Sequence, residues 1–156
     1  EEKLQVTYDV PEKMEILVPT LILQPLVENA VRYGIDRTGC RYVYIGITEE
    51  ADAYRVEISD HGKGFPEEVL EKIAKDEPVG SSIGLQNVHK RMKSVYGEER
   101  GLQIQSTPKG STVEVTPEKI TIASTAAPQI SKVKIPDSVP KATKSPAAQY
   151  RPPLSQ

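Results

Sequence analysis

Tryptophan is absent from this chain, and phenylalanine and cysteine occur once each. With so few large aromatics, a core has to be assembled from Leu, Ile and Val. The lone thiol, Cys40, cannot close an internal disulfide or build a cysteine-rich metal site, so a reducing compartment is the simple expectation. Long apolar runs are also missing. The longest, Val18 to Leu23 and on to Val27, is broken by Gln24, Pro25 and Glu28, well short of the ~20 residues that span a bilayer. Glu1-Glu2-Lys3 has none of the features of a secretory leader.

Glycine stops at Gly110, whereas seven of the thirteen prolines follow Thr116. Beyond that point six basic residues (Lys119, Lys132, Lys134, Lys141, Lys144, Arg151) face two acidic ones (Glu118, Asp137). Residues 117–156 therefore carry +4, and residues 1–116 carry −6 of the overall −2. An acidic body argues against a nucleic-acid-binding surface. A polyanion would have to be held at a local site with a metal. The proline-rich basic segment 117–156 reads as linker or disordered tail, leaving residues 1–116 as one domain. Ile120 and Ile122 could extend a last strand.

Within 1–116 the periodicities are clear. Leu4, Val6, Tyr8 and Val10 alternate with polar residues, which predicts a half-buried strand. Thr20 can cap a helix that runs to about Tyr33 and stops at Gly34, with Pro25 kinking or tightening its first turn. Residues 41–48 and 54–59 read as strands joined by a turn over 49–53. A short helix should follow Pro66. Leu85, Val88, Met92 and Val95 recur at helical spacing from about Gly84 to Tyr96, with Gly97 as the stop. Strands over 102–107 and 111–116 flank the turn Thr107-Pro-Lys-Gly110. The fold class is α+β, a two-layer sandwich of a mixed, mostly antiparallel sheet with helices on one face.

Three segments carry chemistry. In the first helix, Asn29, Arg32 and Tyr33 share a face beside the apolar stripe of Leu23, Leu26, Val27, Ala30 and Val31. Asparagine is unfavourable in mid-helix and usually faces water. Its amide oxygen also suits Mg²⁺, a hard cation often shared with substrate phosphates. The second segment, Asp60-His-Gly-Lys-Gly-Phe-Pro66, follows a strand. Its glycines let the backbone turn and approach a ligand, and an ionised Asp accepts from an amine such as adenine N6. The third, Gly80-Ser-Ser-Ile-Gly-Leu-Gln-Asn-Val88, opens a helix, where free N–H groups and the dipole favour anions. Each alone is an ordinary helix, loop or cap; their order and spacing make them specific.

Together these residues resemble the ATP-binding domain shared by histidine kinases, DNA gyrase, the Hsp90 chaperones and MutL, with the Bergerat-type fold. Pro19-Thr-Leu-Ile-Leu-Gln-Pro-Leu-Val-Glu-Asn-Ala30, Ser82-Ile-Gly-Leu-Gln-Asn-Val-His-Lys-Arg-Met92 and Tyr96-Gly-Glu-Glu-Arg-Gly-Leu102 are most similar to the LytS/YesM-like sensor histidine kinases. The likeness covers about residues 3–116. It implies that Asn29 holds Mg²⁺ on the ATP phosphates, that Arg32 faces them and that Tyr33 adjoins the nucleotide. Asp60 would accept from adenine, with Gly62 and Gly64 shaping that wall and Ser111 supporting the base. Phe65 to Ser82 would form a lid anchored by Gly80, Ile83, Gly84 and Leu85. Glu28 would orient a metal-bound water or the incoming histidine.

The chain departs from the family pattern in three places. His61 replaces a usual Asn, the lid end has fewer glycines, and Pro25 occupies the position where gyrase-like ATPases carry a water-activating Glu. The third favours a kinase, because imidazole is already a nucleophile. The resemblance thus implies transfer of the ATP γ-phosphoryl group to a histidine on a dimerisation domain that lies upstream, and then to a response regulator. A cytoplasmic placement follows, within a membrane-anchored, homodimeric parent; the fragment itself is expected to be monomeric. His61 and His89 are poor acceptors, and His89 reads as solvated. A same-fold ATPase switch, an anti-sigma-type serine kinase and a degenerate scaffold stay open as alternatives.

Overall fold

Three strands in which every second residue is aliphatic form the centre of the molecule. In the computed structural model, which describes residues 3–11, 15–19, 21–80, 82–119 and 130–134, they are β3 (Cys40–Glu49), β4 (Tyr54–Asp60) and β6 (Gly110–Val115). β1 (Lys3–Asp9) and β5 (Gln103–Thr107) complete a sheet of order β1-β3-β4-β6-β5. β1 runs parallel to β3, and the other three ladders are antiparallel. The register sets Ile45 opposite Ile58, Ile58 opposite Val113 and Val113 opposite Ile104. Side chains alternate across a strand, so this row and its neighbours present one apolar face.

Helices cover that face. α1 (Leu23–Tyr33) lies on β3 and β4, α3 (Ile83–Tyr96) packs beside α1, and α2 (Glu67–Ala74) leans on α3. Leu26 and Ala30 of α1 and Leu85, Val88 and Met92 of α3 are buried with Val43, Val56, Ile58, Val113 and Val115. Each fully buried aliphatic side chain contributes about 1.5–3 kcal/mol, so this layer contact is the main source of stability. The result is the expected two-layer sandwich with a mixed, mostly antiparallel sheet.

Several expectations need correction. α1 begins at Leu23, behind Leu21 at φ 60° and the N-cap Ile22; Thr20 lies outside the described residues. Pro25 is the third helical residue, where an absent N–H costs nothing because that donor has no intrahelical partner. A strand that the periodicity did not suggest, β2 (Glu15–Pro19), precedes the helix and buries Ile16 and Val18. It pairs antiparallel with β7 (Ile130–Lys134), which lies inside the stretch read as tail. Ile120, Ile122 and the rest of that stretch beyond Lys134 are outside the described residues. β1 is less buried than its alternation suggests: Leu4 is 53% and Tyr8 39% exposed.

Candidate functional site

The apolar rows of the sheet end in a polar one. Beyond the Ile45–Ile58–Val113–Ile104 row, Val43 stands opposite Asp60, Asp60 opposite Ser111, and Ser111 opposite Ser106. The alternation that turns Val56 and Ile58 toward the helices therefore turns Asp60 the same way, and the residue is only 7% exposed. Burying a charge requires compensating hydrogen bonds. Oδ1 accepts the Gly62 N–H at 2.8 Å, and Oδ2 accepts the Ser111 hydroxyl. The Asp60 side chain is thus fixed by its own loop and by the neighbouring strand.

The loop after Asp60 is pressed between α1 and the β5–β6 hairpin. A Cβ on Gly62 would lie 2.2 Å from the Tyr33 carbonyl oxygen and 3.0 Å from the Gly34 Cα. Gly64, at φ 76°, leaves no room for a side chain either: its Cβ would lie 2.3 Å from the Thr107 carbonyl oxygen. Next to it, Phe65 donates its N–H to Ser106 Oγ at 2.6 Å, and its ring packs against the core. These contacts bring the second segment under the C-terminal end of α1.

The third segment meets the other end of the same helix. A Cβ on Gly84, in the first turn of α3, would touch Pro25 Cβ at 3.4 Å. Pro25, Asn29 and Tyr33 are spaced four apart and follow one side of α1. Asn29 therefore occupies the middle of a row with Gly84 at one end and Gly62 at the other. It is half-buried, and among the described residues its side chain makes no hydrogen bond. No hydrogen bond joins it to Asp60; α1 alone relates the two.

The remaining residues sort clearly. Arg32 and Tyr33 are exposed at the end of α1. Glu28 is exposed and accepts from Gln24 Nε2 at 2.7 Å, one turn back. Ser82 is buried without capping α3 through its side chain, and that helix has no acidic residue in its first turn. Its opening N–H groups are therefore unopposed by local negative charge. Among the described residues nothing lies within 4 Å of where a Gly80 Cβ would stand, so the backbone is approachable there. Ile83 projects outward, whereas Leu85 is buried in the core and anchors the helix. The His61 ring lies against Tyr42, centroids 5.1 Å apart.

Some supporting residues were not evident in the sequence. Gln86, buried on α3, accepts the Val79 N–H at 3.2 Å and donates to the Glu77 carbonyl. It ties residues 77–79 to α3. Arg41 Nη1 donates to the Val31 and Arg32 carbonyls at 2.6 and 3.1 Å, placing a cation at the negative end of α1. His89 is not solvated; it is 8% exposed. Its Nδ1 accepts the Leu102 N–H at 2.9 Å, and Nε2 is 3.6 Å from Asp76 Oδ1. Burial holds its pKa below the ordinary 6.5, more strongly than Asp76 raises it. Asp76 is in turn held below the usual carboxylate range by Lys93, 2.6 Å away. No repeat or charge pattern signals these contacts, because each joins residues of different elements or loops, 7 to 17 positions apart.

A separate cleft of about 220 Å³, lined by Glu99, Arg100, Gly101, Gln103 and Thr116, shares no residue with the three segments.

The chain is 39% identical over 113 residues to the sensor histidine kinase YpdA of Escherichia coli, matching 72% of this chain and 20% of that protein. It is 32% identical over 116 residues to the sensor protein LytS of Streptococcus mutans, with the same coverage. It thus spans about one fifth of the length of these curated relatives. Among solved structures, the catalytic domain of the histidine kinase ThkA superposes with a TM-score of 0.56 at 17% identity, covering 74% of this chain and 80% of that one, and shares the fold. The model of the family described as histidine kinase-, DNA gyrase B- and HSP90-like ATPase matches residues 16–121, more than half of the chain. The chain therefore belongs to that ATPase family.

Proposed function

We propose that this chain is the ATP-binding catalytic domain of a two-component sensor histidine kinase. It would transfer the γ-phosphoryl group of ATP to a histidine on the dimerisation domain of the parent protein, for onward passage to a response regulator. One observation carries the reading: a buried carboxylate, fixed by Gly62 and Ser111, lies beneath the end of the helix whose middle presents Asn29 without a partner.

In this reading Asp60 accepts from the adenine amine and Ser111 holds the carboxylate in place. Gly62 and Gly64 allow the base to approach the backbone, Phe65 supports that wall from the core, and Tyr33 borders it. The opening turn of α3, with Gly80, Ser82, Ile83 and Gly84, receives the phosphates on its N–H groups. Arg32 adds a positive charge from the C-terminal end of α1, on the adenine side of the site. Asn29 suits Mg²⁺ because it offers a hard oxygen with no competing bond. Among the described residues no cluster of His, Cys, Asp and Glu could hold a metal by itself. The ion would therefore be shared with the nucleotide, where it neutralises charge on the transferring group.

Pro25 occupies the position one turn before Asn29, so no carboxylate stands there to activate water. That favours transfer to an imidazole over hydrolysis. Glu28, bonded to Gln24, is left to orient the incoming histidine. The parent protein would be membrane-anchored with this domain on the cytoplasmic side. No described helix is long and apolar enough to cross a membrane.

The test is to mix the chain with the dimerisation domain of a LytS-type kinase and ATP–Mg²⁺, then measure acid-labile phosphate. Transfer is expected, and Asn29→Asp or Asp60→Asn should each reduce it by about a hundredfold or more. Full transfer by both variants would overturn the assignment.

A further inference from the structure

One edge of the main sheet is open. β1 is paired only to β3, and among the described residues no strand adjoins its outer side. The opposite edge, β5, has five residues, two of them exposed glutamines, Gln103 and Gln105. β1 has seven, with Leu4, Val6 and Tyr8 on the face that looks toward the helices. The register proves the facing: Val6 pairs with Val43, which is buried in the core. Because α1 covers β3 and β4, Leu4 and Tyr8 stay exposed at the rim. An exposed, unpaired edge of this length, with one apolar row, is a template for strand addition.

The residues of β1 select their own partner. When the strand is laid antiparallel to a second copy of itself about Val6, Lys3 stands opposite Asp9, Leu4 opposite Tyr8, Gln5 opposite Thr7, and Val6 opposite Val6. Opposite residues share a face in an antiparallel pair. The charged pair and the Gln–Thr pair then fall on one face and the apolar pairs on the other. Moving the register by one residue would set Leu4 and Tyr8 among polar neighbours. Moving it by two sets Lys3 opposite Thr7 or Pro11, and its ion pair with Asp9 is lost.

We infer that β1 is a self-pairing edge, joining two copies of this chain into one continuous ten-stranded sheet about a two-fold axis. Such an axis repeats each contact, so two Lys3–Asp9 pairs form. This departs from the expectation that the fragment is monomeric. The contact involves none of the residues assigned to the nucleotide, so either reading can fail alone.

Sedimentation of the full chain over a range of concentrations tests the inference. A reversible monomer–dimer equilibrium is expected. Lys3→Glu and Asp9→Lys should each weaken it by about tenfold, since each turns two attractive pairs into repulsive ones. The double variant Lys3→Glu/Asp9→Lys should recover the original association. Both side chains are exposed, and unchanged circular dichroism checks that the fold is kept. Amides of Lys3–Asp9 should also gain exchange protection as concentration rises. A monomer at all concentrations, or a double variant no tighter than the singles, would overturn the inference. Dimers unaffected by either single substitution would do the same, by placing the interface elsewhere.

Discussion

Ser111 donates its hydroxyl proton to the carboxylate of Asp60, its directly opposed partner in the β4–β6 ladder and fifty-one residues away in the chain. The bond lies where the hydrophobic core ends and the loop after β4 begins. Removing it tests both. Ser111→Ala leaves a buried carboxylate oxygen unsatisfied, and should lower stability by about 1–3 kcal/mol and weaken ATP binding. Asp60→Asn keeps the shape but replaces one acceptor oxygen with an NH2 donor, so the side chain no longer accepts at both positions. Its ATP affinity should fall by about 10- to 100-fold. Denaturant melts and titration calorimetry with ATP and Mg²⁺ read the two effects; wild-type affinity in Asp60→Asn would remove Asp60 from the site.

The glycines predict opposite outcomes. At Gly62 an added methyl would strike the Tyr33 carbonyl and the Gly34 Cα. Gly62→Ala should therefore push the loop from α1 and cost about 1–3 kcal/mol with loss of nucleotide binding. A Cβ at Gly80 meets nothing within 4 Å among the described residues, and the residue has no positive φ. Gly80→Ala should be neutral or stabilising by up to about 1 kcal/mol, through the reduced freedom of the unfolded chain. Parallel thermal melts distinguish the two positions.

Gln86 holds the chain before Gly80 by two main-chain hydrogen bonds. Gln86→Leu retains the apolar volume but leaves the Val79 N–H and Glu77 carbonyl without partners, at about 1–3 kcal/mol. Limited proteolysis between Glu77 and Gly80 should accelerate, while the rest of the domain stays resistant. Equal cleavage rates in variant and wild type would show that other contacts hold the segment.

His89 makes stability depend on pH. Its burial disfavours the imidazolium, and protonating Nδ1 would also break the bond from Leu102. The unfolded chain takes up this proton near pH 6.5, whereas the folded chain takes it up only at lower pH. The contribution is thus fully present above 6.5 and is lost as pH falls below it. His89→Asn should be less stable at neutral pH, with a shallower decline under acid. If the two chemical-denaturation profiles run parallel from pH 7 to 5, His89 carries no such linkage.

Periodicity revealed most of the sandwich because its strands and helices each have one apolar face. The runs around Val43, Val56, Leu85 and Val113 could hardly be read otherwise. The loop after β4 was legible for another reason: Gly62 and Gly64 are confined by backbone that only glycine can meet. β2 escaped because five residues ending in Pro19 run straight into the apolar start of α1, and its partner β7 is more than a hundred positions away. The burial of His89 was hidden in the same way. It depends on Gly101, where a Cβ would lie 2.4 Å from the imidazole, and on Leu102, both beyond the end of its helix. Alternation placed Leu4 and Tyr8 on the correct face of β1 but could not show that the helices stop short of them.

α1 is touched near its first turn by Gly84 and at its last by Gly62, with Asn29 halfway along. A helix advances ~1.5 Å and turns ~100° with each residue. The stretch from Pro25 to Tyr33 consequently works as a ruler whose markings are fixed by the backbone. Side chains on its outer surface can be exchanged without moving either loop. Adding or deleting one residue would rotate Asn29 off the line and change the gap between the loops together, so this segment tolerates new letters but not a new length.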